Sequence, residues 1–321
     1  MRIIVTGASG FVGSGLVQRL TRDTQHAVVA AYRKLPSIPV ADADLVRFDL
    51  SDGAATLGKM LEGIDAVVHL AARVHVMRDA AADPLAEFRR ANVRSTLELA
   101  RQAALAGVQR FVYVSSIKVN GEATLAGRPF RADDAPDPHD PYGVSKAEAE
   151  QGLWALAAQT GLPCVVVRPP LVYGPGVKAN FRSMMGWLAR GVPLPFGAIH
   201  NRRSLVSRDN LCDLLATCVS HPGAPGHTFL ASDGEDVSST QLLRRLGQAL
   251  GRPARLLPLP PPLLTVMLTA LGKGDVAQRL FSSLQVDSSD AQRLLGWRAP
   301  LSLDEGLRQA ALAFLAEARS R

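Results

Sequence analysis

The sequence predicts an α/β fold in which a doubly wound parallel sheet is followed by a smaller C-terminal lobe. Three features point to it. The chain opens with a β-branched run, Arg2 to Thr6, which breaks into Gly7-Ala-Ser-Gly10-Phe-Val-Gly13 and resumes at helical spacing from Ser14 to Leu20. Short apolar runs then alternate with helical stretches as far as Arg168, the pattern of successive βα units. Beyond Tyr173, glycine and proline become more frequent and the helical periods shorter, as expected of a lobe capping the carboxyl ends of the strands.

Taken in order, further strands are expected at Ala27–Ala31, Leu45–Phe48, Asp65–Leu70, Arg110–Val114 and Pro163–Arg168. One helix should run from about Asp83 through Asn92 to Ala106, and a long one from Tyr142 to Gln159. Pro169-Pro170 ends the regularity, which places a nucleotide-binding domain at 1–172 and a substrate lobe at 173–321. A helix at Asp209–Ser220 is expected to return to the first domain. Leu256 to Leu271 is apolar, but Pro258 and Pro260 to Pro262 interrupt it, so it reads as a loop leading into a short helix rather than a membrane span.

The composition narrows the partners. A formal charge of +7 invites a nucleic-acid reading, yet lysines and arginines are scattered, without a basic run or interleaved aromatics, so neither nucleic acid nor membrane is expected as a partner. Cys164, Cys212 and Cys218 lack the spacing of a metal site and read as buried small hydrophobes. No basic segment leading into an apolar stretch stands ahead of the first strand, so a cytoplasmic protein without a signal peptide is expected.

The glycine turn carries the first chemistry. A strand entering such a turn and leaving as a helix presents backbone N–H groups at the positive helix end, where a pyrophosphate can approach. Gly7, Ser9, Gly10, Phe11, Val12 and Gly13 are the residues expected to meet a dinucleotide there, on a Rossmann-type sheet. At the end of the second strand an acid would bind the ribose hydroxyl of NAD, but Tyr32-Arg33-Lys34 stands there, and Arg33 suits the 2′-phosphate of NADP. NADP(H) is therefore the preferred cofactor, with NAD(H) as the alternative.

Tyr142 and Lys146 lie four apart at the start of the long helix, on one face. A fixed cation beside a phenol favours the phenolate and draws its pKa from about 10 towards neutrality. Ser115-Ser116 ends a strand at the same carboxyl edge, and Asn92 lies in the preceding helix. Serine and tyrosine hydroxyls aimed at one carbonyl oxygen would stabilise the charge that develops during hydride transfer.

With these residues the chain resembles the extended short-chain dehydrogenase/reductases of the NAD-dependent epimerase/dehydratase family. The likeness rests on the glycine turn, Asp49-Leu50, His69-Leu-Ala-Ala72, Asn92, Ser115-Ser116, Tyr142-Gly-Val-Ser-Lys146 and Arg168-Pro-Pro-Leu-Val-Tyr-Gly-Pro175, and covers nearly the whole chain. It implies catalysis by Ser116, Tyr142, Lys146 and Asn92, with Ser115 as the second choice for the catalytic serine and as a cofactor contact. Asp49 would contact the adenine with Leu50 beside it. Leu70, Ala71 and Ala72 would border the cofactor, and Arg168 would be among its contacts. Asn120 departs from the tyrosine usual two residues after Lys118.

A narrower likeness rests on Ala72 to Met77, Ser115 to Glu122, Gly176 to Arg182 and Asn201 to Val206, which resemble an O-antigen branch of the family. It implies an oxidoreductase that reduces the C4 ketone of a UDP-4-keto-6-deoxy-N-acetylhexosamine, giving UDP-N-acetyl-quinovosamine or its C4 epimer for lipopolysaccharide synthesis. The alternative is a UDP-glucose or UDP-GlcNAc 4-epimerase with bound NAD. Asn180, Arg203 and Arg279 match positions that hold the UDP diphosphate, while Lys118 and His75 fall within reach of the sugar without an assigned role. A dehydratase would carry an acid where Ile117-Lys118 stands, and a catalytically silent nucleotide sensor would lack the tyrosine or the lysine. The resemblance also implies a homodimer formed through the helices carrying Asn92 and Tyr142.

Overall fold

The computed structural model describes residues 1–23, 25–36, 42–74, 83–125, 127–270 and 280–319. A parallel sheet of seven strands, in the order β3-β2-β1-β4-β5-β6-β9, forms the larger body. Its strands are β1 (Arg2–Thr6), β2 (Ala27–Tyr32), β3 (Ala43–Arg47), β4 (Ala66–His69), β5 (Arg110–Val114), β6 (Cys164–Arg168) and β9 (Thr228–Leu230). Reversal of strand order beside β1 opens the crevice in which open α/β sheets bind ligands.

Alternation along each strand supplies two cores. Ile3, Val5, Val68, Val112 and Val167 face one side and pack on Leu16 and Leu20 of α1 (Phe11–Thr21) and Leu211 and Leu215 of α7 (Arg208–Ser220). Ile4, Val67, Phe111, Tyr113 and Val166 face the other side, against Leu99 of α4 (Ser95–Leu105) and Leu153 of α5 (Pro141–Thr160). Burial on both faces explains why these strands read as continuous apolar runs. α7 returns to the larger body, where Asp213 accepts from Arg19 of α1 at 2.9 Å. β9, which carries no signal of its own length in the sequence, extends the sheet beyond β6, with Val166 opposite Thr228.

Two expected elements differ in detail. The helix foreseen from Asp83 to Ala106 is divided into α3 (Pro84–Phe88), a π-turn (Arg89–Arg94) and α4. The extra residue in that turn lets buried Asn92 point inward without ending the helix. The long helix begins at Pro141, whose missing N–H suits the first turn, under an Asp140 cap that accepts from Gly143 N at 2.6 Å. It ends at Gly161, with φ +74°.

The second lobe is a three-stranded sheet, β10-β8-β7, of β7 (Leu171–Tyr173), β8 (Arg203–Ser207) and β10 (Asp236–Val237). Around it pack α6 (Ala179–Ala189), α8 (Ser239–Ala249) and the C-terminal helix Leu303–Arg319, sharing Phe181, Met185, Leu246 and Leu307. That helix passes so close to Tyr173 that a Cβ at Gly306 would lie 2.4 Å from the phenol oxygen. α9 (Pro261–Ala270) starts at the prolines that interrupt the apolar stretch. Among the described residues no helix is long and apolar enough to cross a membrane. All three cysteines are buried and unpaired, and burial pushes each thiol up to about 12.

Candidate active site

The glycine turn is built from backbone. Gly7 holds φ +72°, Gly10 N donates to Gly7 O at 2.9 Å, and a Cβ at Gly13 would lie 2.1 Å from Gly7 O. A side chain at Gly7 would likewise meet Ala71 N at 2.8 Å, so the turn and the strand-end loop Leu70–Ala72 are pressed together. Gly10, at the N-cap of α1, provides no capping side chain. The first N–H groups of an eleven-residue helix therefore face an exposed edge formed by Ser9 and Gly10, with Phe11 and Val12 partly buried behind it. These residues fit the pyrophosphate of a dinucleotide, for which an uncapped helix start supplies both donors and positive potential.

Beneath the turn runs a buried polar chain. Thr6 Oγ1 lies 2.7 Å from His69 Nδ1, His69 Nε2 lies 3.0 Å from Thr96 Oγ1, and Ala71 N donates to Thr6 Oγ1 at 3.3 Å. Burial first, and the charge of Lys146 second, press the imidazole down to about 3, so His69 is a neutral link between strand ends. At the far side, Arg33 and Lys34 are exposed just past β2. Asp49 stands at the end of the loop after β3, where hydrogen bonds from Ser51 hold its carboxyl below the usual range, helped by the charges of Arg47 and Arg33. Leu50 is fixed beside it by a hydrogen bond from Ser95 Oγ to its carbonyl.

The edge expected to be catalytic is built from side chains. Ser115 N donates to Val167 O at 2.8 Å, while Ser115 Oγ is buried without a partner among the described residues. Ser116 caps the short turn Ile117–Val119, its Oγ accepting from Lys118 N at 3.3 Å. Tyr142 sits in the first turn of α5 with its ring 6.1 Å from Phe88 and 5.9 Å from Lys146 Nζ. Lys146 is buried, donates to Val114 O at 2.9 Å and lies 4.6 Å over the Tyr113 ring.

The pKa directions correct one expectation. The phenol of Tyr142 is pushed up to about 12, by burial first and by the Asp140 carboxylate second, while a hydrogen bond from Ser116 draws it down. Burial presses the Lys146 ammonium down to about 7 against the pull of Glu150. Lys146 does not overcome desolvation of the phenol, because its own charge is desolvated by the same apolar wall and its Nζ is turned to the Val114 carbonyl.

Asn92 holds the site's frame. Its Oδ1 accepts from Arg73 N at 2.8 Å, and its Nδ2 donates to Arg73 O and Ser145 Oγ, both at 3.0 Å. The loop after β4 is thereby tied to α5. Arg168, expected among the cofactor contacts, is a second correction. Its Nε and one terminal nitrogen bind Glu150 at 3.0 and 2.6 Å, and the other donates to Asn120 Oδ1 at 2.9 Å. All its guanidinium nitrogens are engaged inside the fold, so its place is structural. Asn120, where a tyrosine is usual, supplies the acceptor that this arginine needs and donates to Arg131 O at 2.8 Å.

In the second lobe Asn180 is exposed in the first turn of α6. Arg203, at the start of β8, donates to Ser282 O at 3.3 Å, and burial lowers its guanidinium pKa. Arg279 and His75 lie outside the described residues. Sequence reasoning gave no catalytic or binding role to Thr6, Thr96, Asp140 or Glu150, and placed Asp140 only in the loop that delivers Tyr142 to its helix. Of these only Asp140 carried a local signal, as Asp-Pro at a helix start. Among the described residues no cluster of three or more His, Cys, Asp or Glu could hold a metal ion.

The sequence profile of the NAD dependent epimerase/dehydratase family matches residues 3–231. A protein from Vibrio cholerae named UDP-glucose 4-epimerase is 46% identical over 316 residues, covering 98% of this chain and 95% of the other. Another of that name, from Mycolicibacterium smegmatis, is 31% identical and covers 96% of each. The crystal structure of UDP-glucose 4-epimerase from Thermotoga maritima with UDP-glucose is 25% identical, with a TM-score of 0.78 over 99% of this chain and 100% of that one. MoeE5 in complex with UDP-glucose and NAD is 28% identical, with a TM-score of 0.75 over 99% of this chain and 100% of that one. The 46% relative overturns the 4-keto sugar reductase expected from the narrower likeness, since a protein matched over almost the whole chain carries a 4-epimerase's name. An NADP preference finds no support in these comparisons either. The chain belongs to the NAD-dependent epimerase/dehydratase family.

Proposed function

We propose that the protein is a UDP-hexose 4-epimerase that keeps its NAD through the reaction. The observation that carries this is the convergence of Ser116, Tyr142 and Lys146 at the carboxyl edge of β5, beside an uncapped dinucleotide turn. Its support is the 46% identity to a UDP-glucose 4-epimerase over almost the whole chain.

When bound, the nicotinamide supplies a reversible hydride acceptor next to C4 of the sugar. Tyr142, in its phenolate form, would take the C4 hydroxyl proton as C4 is oxidised and would return it to the oxygen as C4 is reduced again. Ser116 orients the C4 oxygen and donates to it as charge develops. Lys146, fixed by Val114 O behind the phenol, would hold the nicotinamide ribose, with Ser115 Oγ as a further donor. Asn92 keeps the loop after β4 and α5 in register around these groups.

Residues 1–172 hold the cofactor in this reading, and 173–321 close over the nucleotide sugar, with Asn180, Arg203 and Arg279 on its diphosphate. Arg33 and Lys34 then face the adenosine ribose of NAD without an acid, beside Asp49. A homodimer through α4 and α5 is part of the proposal, supported by the 76% exposure of Leu105 at the end of α4.

The test is to incubate the purified protein with UDP-glucose, and separately with UDP-GlcNAc, without added cofactor. Formation of the C4 epimer without net change in reduced-nicotinamide absorbance is expected. Stoichiometric loss of an added reduced nicotinamide with no epimer formed would overturn the proposal.

A further inference from the structure

Lys118 follows the catalytic serine by two residues, and two of its contacts run between the elements that carry the two catalytic hydroxyls. Its backbone N donates to Ser116 Oγ at 3.3 Å. Its Nζ pairs with Asp140 Oδ2 and lies 3.3 Å from Glu122 Oε1. Asp140 caps α5 through Gly143 N at 2.6 Å, and its carbonyl accepts from Val144 N at 2.9 Å. The first turn of α5 rests directly on the Lys118 backbone, where a Cβ at Gly143 would lie 2.9 Å from Lys118 O. With 17% of the Asp140 side chain exposed and 36% of Lys118, this pair is more sheltered than an ordinary surface ion pair.

We propose that Lys118 is a positioning residue for the reaction: by pairing with Asp140 it locks the Ser116 loop onto the first turn of α5 and screens the Asp140 charge from the Tyr142 phenol. The inference rests on the 4-epimerase reading of the site.

Two functions meet in one contact. Sequence places Ser116 and Tyr142 on separate elements, and the Lys118 side chain is a polar strut joining the loop of one to the helix cap of the other. The electrostatic part follows from the position of Asp140, whose carboxylate opposes ionisation of Tyr142. A cation on that carboxylate cancels part of the opposition.

Among the described residues, further polar and charged groups stand around the phenol. α5 brings Lys146 and Glu150, β5 brings Tyr113, and the loop after it brings Ser116. From α3 comes the Phe88 ring, with Arg73 Cζ 5.6 Å from its centroid.

The experiment uses the full-length holoenzyme with UDP-glucose, comparing Lys118→Met, Lys118→Gln, Lys118→Arg, Asp140→Asn and Lys118→Met/Asp140→Asn. The acidic limb of the kcat profile reports protonation of Tyr142. In Lys118→Met it should move about one pH unit upward, lowering kcat at neutral pH about tenfold, with KM changed by less than about twofold. Lys118→Gln should follow Lys118→Met, and Lys118→Arg should restore the profile. Asp140→Asn, which keeps a capping side chain, should move the limb downward, and in its background the lysine substitution should no longer move it.

A parallel ultraviolet titration of the phenol, read as the difference from Tyr142→Phe in each background, needs no turnover. If wild type does not epimerise, the functional reading fails while the titration still tests the coupling. An unmoved limb and an unmoved phenol titration in folded Lys118→Met and Lys118→Gln, or the same shift with and without Asp140, overturn the role of Lys118.

Discussion

The two edges of the site are made in different ways. At the glycine turn the work is done by backbone: a positive φ at Gly7, a 2.1 Å exclusion at Gly13 and the bare start of α1. At the catalytic edge side chains from separate elements are held by other side chains, as Asn92 is held by Arg73 and Ser145, or Arg168 by Glu150 and Asn120. The first kind of site is local in the chain and tolerates almost no added atom. The second is distant in the chain, and its groups are set by burial and by neighbouring charge.

Substitutions should separate the two. Tyr142→Phe removes the only hydroxyl assigned to take the C4 proton, and kcat should fall about 10³-fold or more with the bound nicotinamide retained. Loss of the cofactor together with activity would show that the catalytic edge also builds the turn.

Arg168→Leu leaves Glu150 charged and buried without its partner, so stability should drop by about 3–5 kcal/mol, measured by denaturant unfolding. Were Arg168 a cofactor contact instead, nicotinamide content would fall while the unfolding midpoint held.

Gly13→Ala should be the sharpest test of the backbone-built edge. The added methyl cannot coexist with Gly7 O, and a loss of about 1–3 kcal/mol is expected, with bound nicotinamide lost before the fold. A variant that retains its nucleotide at normal stability would mean that the turn is looser than drawn here.

Arg203→Ala and Asn180→Ala probe the second lobe. Each should raise the KM for UDP-glucose by about tenfold with kcat little altered, as expected for a charge-assisted contact to the diphosphate. The smallest effect belongs to Arg33→Ala, for which turnover with retained NAD should stay within about twofold, since an exposed guanidinium near Asp49 contributes little. A large loss there would restore a phosphate-binding role to Arg33.

The same contrast explains what could be read from sequence. The strands of the larger sheet, the turn and the Tyr142 helix announce themselves through local periodicity, Gly and Asp-Pro, because both sheet faces are buried and every βα unit repeats one pattern. β9 is three residues long and exists only because β6 offers it an edge, so nothing local marks it. The π-turn at Asn92 is equally silent, being one extra residue in an otherwise helical run.

Site chemistry was legible as residue types and less so as states. Tyr142 with Lys146 suggested a lowered phenol pKa, but the wall around them desolvates both groups and reverses the direction for Tyr142. Arg33, on an exposed edge, drew attention to NADP, whereas a protein named UDP-glucose 4-epimerase is 46% identical over 98% of the chain. One edge residue weighs little against that.

The most direct measurement is a proton NMR time course of the purified protein with UDP-galactose in deuterated buffer and no added cofactor. UDP-glucose that keeps the substrate's own hydrogen at C4 is the predicted product, since a retained nicotinamide returns the same hydride. No interconversion, or deuterium at C4, would contradict the account.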